Sequence, residues 1–309
     1  LVHYKGPKRM PGSSNFTCNV VAGQVGSGKQ GYNTLFHEGG HAAHMLTAEA
    51  REVVLNSEYS PMSTAWAETQ SMFLDTVFSS IEWKVRYAHD AQGAPYPLEL
   101  HERMVRKLAP LRPMRMNSII FVASFERDIY ACKNLTREKV LTFARKNYRK
   151  YFDASEDSLW ALNIPHIYSW ESAASYHGYG LAELALTQWR EYFYKKYGYI
   201  VDNPRVGREM ARVWKLGAQK TFKEFVKLAT GKPLSSAAFV NDVTMSADQA
   251  IRRGKARVAR MTRVKSLAGP VELKAQIRVV HGKKEIASNA KSFEDMADKY
   301  GRWLKGLRD

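Results

Sequence analysis

Residues 33–46 read NTLFHEGGHAAHML, a stretch with two histidines four positions apart and a glutamate directly after the first of them. In an α-helix, residues four positions apart lie on one face, so His37 and His41 can reach a single metal ion while Glu38 lies beside them. Catalytic zinc takes three protein ligands and keeps a fourth position open for water. The pattern therefore predicts a helix from residue 33 to about residue 54, with Asn33 as its N-cap, that supplies two zinc ligands.

The third ligand is predicted to be Glu68, which follows in SPMSTAWAETQSMFLD at 60–75. Apolar residues recur there at three- and four-residue steps, which predicts a second long helix from residue 61 to about residue 89. A carboxylate among apolar neighbours is costly unless it meets a cation. A Glu68 that simply points to water is the alternative.

Two glycines, Gly39 and Gly40, separate the two histidines of the motif. Each lowers helix stability by ~1 kcal/mol relative to alanine. We therefore expect a close approach at this point, either to the metal or to a passing substrate strand.

A glycine-rich stretch, GQVGSGKQG at 23–31, follows a predicted strand over 15–22 (NFTCNVVA). It is close to the phosphate-binding pattern GxxxxGK[ST], but Gln30 stands where a hydroxyl would hold magnesium. The stretch is predicted to be a flexible surface loop. The alternative, an NTPase, would require ATP binding that depends on Lys29.

Composition excludes several classes of protein. The 309 residues are 45% hydrophobic and 25% charged, which is typical of globular proteins, and no apolar run is long enough to span a membrane. Cys18 and Cys132 are too few for a disulfide framework or a thiolate zinc site. A cytoplasmic location is expected, with the mitochondrial matrix as the alternative. Because the chain begins with Leu1, we expect a fragment or a processed product.

The net charge of +17 is concentrated toward the C-terminus, where seven basic residues lie between Arg252 and Lys265. We interpret this run as the solvated face of a helix, and nucleic-acid binding is the weaker alternative. Further helices are predicted near 98–108, 114–131, 136–151, 171–197, 204–229 and 292–307, and a strand near 271–281. The predicted fold is mainly α, with a domain over 1–245 and a basic extension over 246–309.

Several segments together resemble the M3 family of zinc metallopeptidases, which includes thimet oligopeptidase and oligoendopeptidase F. FHEGGHAAHM at 36–45 resembles the family's HEFGHxxH motif, and the stretch that begins at Glu68 is similar to the family's glutamate-bearing helix. HIYSWESAASYHGYG at 166–180 is similar to HxFxxxYxAGYYSY, with Ser172 standing where a tyrosine is often found. KRMPGSSNFTCN and TGKPLSSAAF resemble segments near the two ends of the family's catalytic domain.

The resemblance implies a zincin-like helical catalytic domain with a small β element. It implies one Zn²⁺ held by His37, His41 and Glu68, and a zinc-bound water that Glu38 deprotonates as general base. The same resemblance makes Tyr176, Tyr179 and His166 the donors to the oxyanion. Beyond these residues, Asp75 either orients a metal-bound histidine or is exposed, His44 is a candidate to contact a metal ligand from outside the ligand set, and His177 packs or caps locally.

The family's N-terminal half, which forms one wall of the substrate channel, has no counterpart in this chain. The channel is therefore expected to be open on one side or to be completed by a separate chain. Expected substrates are short peptides, and neither nucleic acid nor membrane is expected as a partner. The alternative function is a non-catalytic, peptidase-like interaction protein that binds an acidic partner through its basic tail.

Overall fold

The computed structural model describes residues 2–21, 23–152, 158–170, 172–266, 273 and 275–307. Two compact units divide the chain, Leu1–Val264 and Lys265–Asp309. Taken together, the described ranges are mainly helical, as predicted. No helix in those ranges combines the length and the apolar character of a membrane span.

The first unit opens with a short antiparallel hairpin, β1 (Tyr4–Lys5) and β2 (Lys8–Arg9), and continues with helices. Its 3₁₀ helices cover Val53–Asn56, Ala109–Leu111, Trp160–Asn163 and Pro165–Tyr168. Its α-helices are α1 (Ser27–Thr47), α2 (Thr64–Phe78), α3 (Ile81–Tyr87), α4 (Leu98–Leu108), α5 (Met114–Tyr130), α6 (Arg137–Phe152), α7 (His177–Tyr197), α8 (Pro204–Trp214), α9 (Phe222–Thr230), α10 (Ala237–Val243) and α11 (Ala247–Met261).

Helix α1 begins six residues earlier than predicted, so Asn33 lies inside the helix and is not its N-cap. The helix starts after Gly26, whose φ of +86° is a left-handed conformation that glycine adopts without strain. The hydroxyl of Ser27 accepts a hydrogen bond from the N–H of Val21 at 2.6 Å. The predicted surface loop is therefore wrong from Ser27 onward, because this part forms the first helical turns.

The second long helix is interrupted, because α2 ends at Phe78 and α3 starts at Ile81. Ser80 caps α3 by accepting a hydrogen bond from the N–H of Trp83 at 3.2 Å. The predicted helix over 204–229 is likewise two helices, since Thr221 and Glu224 form a capping box at the start of α9.

The strand predicted over 15–22 is not formed in its described part, residues 15–21. These residues are exposed, and Val20 keeps 59% of its surface accessible. β-Branched side chains favour strands only where neighbouring strands and a packed face support them. Position 22 of the prediction lies outside the described residues.

The main core of the first unit is built around α2, which is buried along most of its length and packs against α1 and α7. Aromatic side chains dominate this core: the rings of Trp66 and Phe225 stack at 4.7 Å between centroids, and Trp66 and Trp189 stack at 5.7 Å. A smaller core joins α5, α6 and residues 161–167 around Phe121 and Phe125. These two cores fix the elements that carry the predicted site residues.

The basic run from Arg252 lies largely on α11, which packs against α3 and α4 within the first unit. Arg257 is half-buried, with its guanidinium 3.6 Å from the ring centroid of Tyr194, and Arg253 pairs with Asp242. The interpretation of the run as a solvated face is therefore wrong for Arg257, whereas Arg253 stays partly exposed. The compact unit also extends beyond residue 245, whereas 245 as the end of a catalytic region stays a prediction.

The second unit contains a hairpin, β3 (Arg278–His281) and β4 (Lys284–Ser288), followed by α12 (Phe293–Lys305). Gly282, with a φ of +59°, lies in the turn between the strands. The strand predicted over 271–281 is thus shorter, and its positions 271, 272 and 274 lie outside the described residues. Within this unit α12 packs against β4, and the rings of His281 and Trp303 lie 5.4 Å apart.

Candidate metal centre and active site

Three side chains from α1 and α2 converge on one point. A nitrogen from each of His37 and His41 and a carboxylate oxygen of Glu68 all lie within 4.8 Å of one another. Glu68 Oε2 is 3.4 Å from His37 Nε2 and 3.7 Å from His41 Nε2. The three predicted ligands are therefore brought together, and their metal-binding role stays a prediction.

The close approach of α1 to α2 depends on Gly40. A Cβ atom at this position would lie 2.7 Å from Ser71 Cα and 3.0 Å from the backbone oxygen of Gln70. At Gly39, by contrast, an added Cβ would meet no atom within 4 Å. The close approach expected at the two glycines therefore exists at Gly40 alone, and it is made by the backbone of α2.

The other side of the His37 ring is held by a carboxylate. Asp75, two turns after Glu68 on α2, lies with Oδ2 2.9 Å from His37 Nδ1. Asn33 donates from Nδ2 to Asp75 Oδ1 at 3.2 Å, which fixes the carboxylate in turn. Asp75 is thus not an exposed residue, and its bond leaves Nε2 of His37 directed toward Glu68.

His41 has a neighbouring carboxylate that the sequence did not indicate. Glu58 Oε1 lies 3.3 Å from His41 Nδ1, on the side of the ring away from Glu68. Glu58 belongs to the segment between α1 and α2, where helical spacing gives no signal. Only a search for acids within the connection between the two ligand helices could have suggested it.

The electrostatics of the three converging side chains favour an ion pair. Burial lowers the pKa of His37, but the hydrogen bonds to Asp75 and Glu68 and their charges outweigh it and raise the pKa to about 10. Burial raises the pKa of Glu68, but the two histidines and Ser71, which donates to Oε2 at 2.9 Å, hold the pKa below its usual value. A divalent cation at this point would replace the proton on His37.

The predicted donors form a second group, contributed by the 3₁₀ helix Pro165–Tyr168 and the start of α7. His166 Nε2 lies 3.1 Å from the hydroxyl oxygen of Tyr179, and the rings of Tyr176 and Tyr179 are 5.1 Å apart. Burial and the nearby Glu68 carboxylate raise the pKa of Tyr179. Tyr179 therefore keeps its proton at neutral pH and links the donor group to the metal-ligand group.

Glu38 is half-buried on α1 between the two histidines. Its charge contributes to the raised pKa of Tyr179 and, after burial, to that of Cys18. The charge of Glu38 therefore acts on Tyr179, although burial and Glu68 contribute more to the raised pKa.

Two further histidines lie outside the converging group. His44 is fully buried among Trp66 and Trp214, and burial together with the charge of His41 lowers its pKa to about 3. Neither ring nitrogen of His44 has a hydrogen-bond partner among the described residues. His44 is therefore a core residue that does not contact the three predicted metal ligands through a hydrogen bond. His177 is exposed at the first position of α7.

Glu126 of α5 was not identified from the sequence. Its side chain is 2% exposed and accepts hydrogen bonds from the backbone N–H groups of Ala174 and Tyr176, at 2.9 and 3.0 Å. These bonds span about 50 residues of sequence, and no local pattern marks them.

Comparisons with known proteins agree with this architecture. The model of a family described as "Peptidase family M3" matches residues 16–245, which is well over half of the chain. A solved structure described as "BsuCP Crystal Structure" is similar in fold, with a TM-score of 0.54 and 15% sequence identity over 73% of this chain and 49% of that one. This chain thus spans about half the length of that protein. No curated protein sequence matches.

Proposed function

The chain belongs to peptidase family M3, and on that premise we propose that it is a zinc-dependent metallopeptidase that hydrolyses peptide bonds in short peptides. The observation that carries the proposal is the convergence of His37, His41 and Glu68 from two helices that Gly40 brings into backbone contact. The helix that holds both histidines also presents Glu38 beside them.

The donor set fits zinc. Ligand atoms at 2.0–2.2 Å from a tetrahedral ion lie about 3.4 Å apart. Glu68 Oε2 is 3.4 and 3.7 Å from the two histidine nitrogens, which is close to this separation. Asp75 supplies the outer contact that zinc-bound histidines usually have. When bound, zinc would lower the pKa of a coordinated water toward ~7 and polarise the peptide carbonyl.

In this proposal Glu38 is the general base. Its carboxylate accepts the proton of the attacking water and later delivers that proton to the nitrogen of the leaving amine. The position of Glu38 between the two histidines on α1, together with the effect of its charge on Tyr179, supports this role.

Tyr179 and Tyr176 are the proposed donors to the oxyanion that forms when water adds to the carbonyl carbon. The raised pKa of both phenols favours the protonated, donating form. His166, whose Nε2 lies 3.1 Å from the Tyr179 hydroxyl, orients that hydroxyl. The proposed partners are short peptides, which are the substrates. A separate chain that supplies the other wall of the substrate channel is a second proposed partner.

The test is Glu38→Ala, with Glu52→Ala as the matched control because Glu52 is an exposed acid beyond the same helix. Glu38→Ala should bind zinc like the wild type and lose about 10²–10⁴-fold in kcat. The control should cleave peptides normally, and a chelator should abolish cleavage by wild type and control alike. A Glu38→Ala variant with wild-type kcat would refute the general-base role. Zinc binding without cleavage by the wild type would favour the non-catalytic alternative.

A further inference from the structure

The segment that leads into α7 is held by an unusual pair of contacts. Ala174 has a φ of +60°, a left-handed conformation that residues with a side chain rarely adopt. Tyr176, the first residue before α7, makes no side-chain capping bond. A strained position and an uncapped helix start therefore lie within three residues of each other, directly before Tyr179.

The carboxylate of Glu126 accepts a hydrogen bond from the backbone at both positions. One carboxylate oxygen accepts from the N–H of Ala174 and the other from the N–H of Tyr176. The carboxylate lies at the positive end of the α7 dipole, where a negative charge is stabilising. Among the described residues, neither an arginine nor a lysine forms an ion pair with Glu126, and its carboxylate is bonded to these two backbone amides.

The two amides lie close in sequence to the donor tyrosines. Tyr176 carries one donor ring, and Tyr179 follows one helical turn later with its hydroxyl 3.1 Å from His166 Nε2. In the first turn of α7, Gly178 allows a close approach to α2, since an added Cβ would lie 3.2 Å from the backbone nitrogen of Ala65. The first turn of α7 therefore packs closely against α2, and the residues before it are bound by the Glu126 carboxylate.

We propose that Glu126 is a positioning residue that holds the segment 174–176 and thereby sets the direction of Tyr176 and Tyr179 toward the reacting carbonyl. This inference rests on the proposed peptidase function for its kinetic consequence. Glu126 acts only through the backbone that carries the tyrosines, and it binds neither substrate nor metal.

The kinetic test is Glu126→Gln, which replaces one acceptor oxygen with a donor and leaves one of the two N–H groups unpaired. We expect kcat to fall about 10- to 100-fold, as for a misplaced catalytic group, with KM and zinc affinity within about threefold of wild type. Glu82→Gln is the matched control, because Glu82 is 3% exposed and accepts a hydrogen bond from Tyr194 at 2.6 Å. The control should match the wild-type kcat.

Two combinations separate positioning from general loss of structure. In a Tyr176→Phe, Tyr179→Phe background, Glu126→Gln should change kcat by less than about twofold, because the groups that it positions are already lost. Adding Ala174→Gly to Glu126→Gln should recover part of kcat, because glycine adopts a positive φ freely. Additive effects, or no recovery with Ala174→Gly, would overturn the proposal.

Hydrogen exchange provides a readout that does not require activity. The amides of Ala174 and Tyr176 should be protected in the wild type and should lose protection in Glu126→Gln, whereas the amides of α9 should not change. If Glu126→Gln does not fold, Ala174→Val at the exposed position 174 should reproduce the loss of kcat at unchanged zinc affinity. Unprotected amides in the wild type would refute the proposal that Glu126 holds the segment 174–176. Protected amides in an inactive wild type would refute only the proposed peptidase function.

Discussion

Replacing Gly40 with alanine tests whether the backbone contact between α1 and α2 builds the metal centre. The added Cβ would lie 2.7 Å from Ser71 Cα and 3.0 Å from the backbone oxygen of Gln70, whereas ordinary contacts are 3.4–4 Å. Both of these atoms belong to the backbone of α2, so neither can rotate away. Relief therefore requires the helices to separate by about 1 Å. The separations of 3.4 and 3.7 Å between Glu68 Oε2 and the histidines would widen by a similar amount, beyond the ~0.2 Å tolerance of a zinc site.

We expect Gly40→Ala to weaken zinc binding about 10- to 100-fold, the range found for residues that support metal ligands. Overpacking should cost about 1–3 kcal/mol of folding free energy, offset by ~1 kcal/mol from the better helix propensity of alanine. Gly39→Ala is the matched control, because it changes the same helix turn and its Cβ meets open space. Gly39→Ala should keep the wild-type zinc affinity, and its free energy of unfolding should rise by up to ~1 kcal/mol.

The assay is competition for zinc with a chelator of known affinity, together with urea unfolding of the metal-free proteins. Equal zinc affinity in the Gly40→Ala and Gly39→Ala variants would overturn this prediction. It would show that the ligands reach the metal without the close helix contact.

Three further predictions concern residues around the site. Asp75→Asn should weaken zinc binding about 10- to 100-fold, because His37 loses its carboxylate partner; unchanged affinity in the chelator assay would contradict this. Tyr179→Phe should lower kcat about 10²-fold with little change in KM, since the oxyanion exists only near the transition state; a normal kcat would return Tyr179 to a packing role. His44 is held neutral with a folded pKa of about 3 against 6.5 when unfolded, so metal-free stability should fall as pH drops below about 6.5, by up to about 1.4 kcal/mol per pH unit. Urea unfolding should show a shallower slope for His44→Leu, and an equal slope would contradict the burial of a neutral imidazole.

Local patterns in the sequence predicted the mainly helical fold, and the structure confirms it. The spacing of His37 and His41 predicts one face of one helix, and the structure brings that face to Glu68. The pattern did not predict the start of α1 at Ser27, because the glycines and the hydroxyl contact to Val21 carry no helical periodicity. Glu58 was missed because it lies in an irregular connection, where spacing does not report distance.

Long-range contacts account for the other differences. Glu126 and the segment 174–176 are far apart in the sequence, so their contact follows from the packing of α5 beside α7. Residues 15–21 show the reverse case, in which local β propensity predicted a strand without the neighbouring strands that would support it.

We propose that His37, His41 and Glu68 form one zinc site that serves peptide hydrolysis. Its existence is tested by the zinc content per chain, from elemental analysis of protein purified without added metal, compared with a Glu68→Ala variant. About one zinc per chain is expected in the wild type, with a marked loss in the variant. Zinc near zero in the wild type, with none taken up on titration, would show that these residues do not form a zinc site.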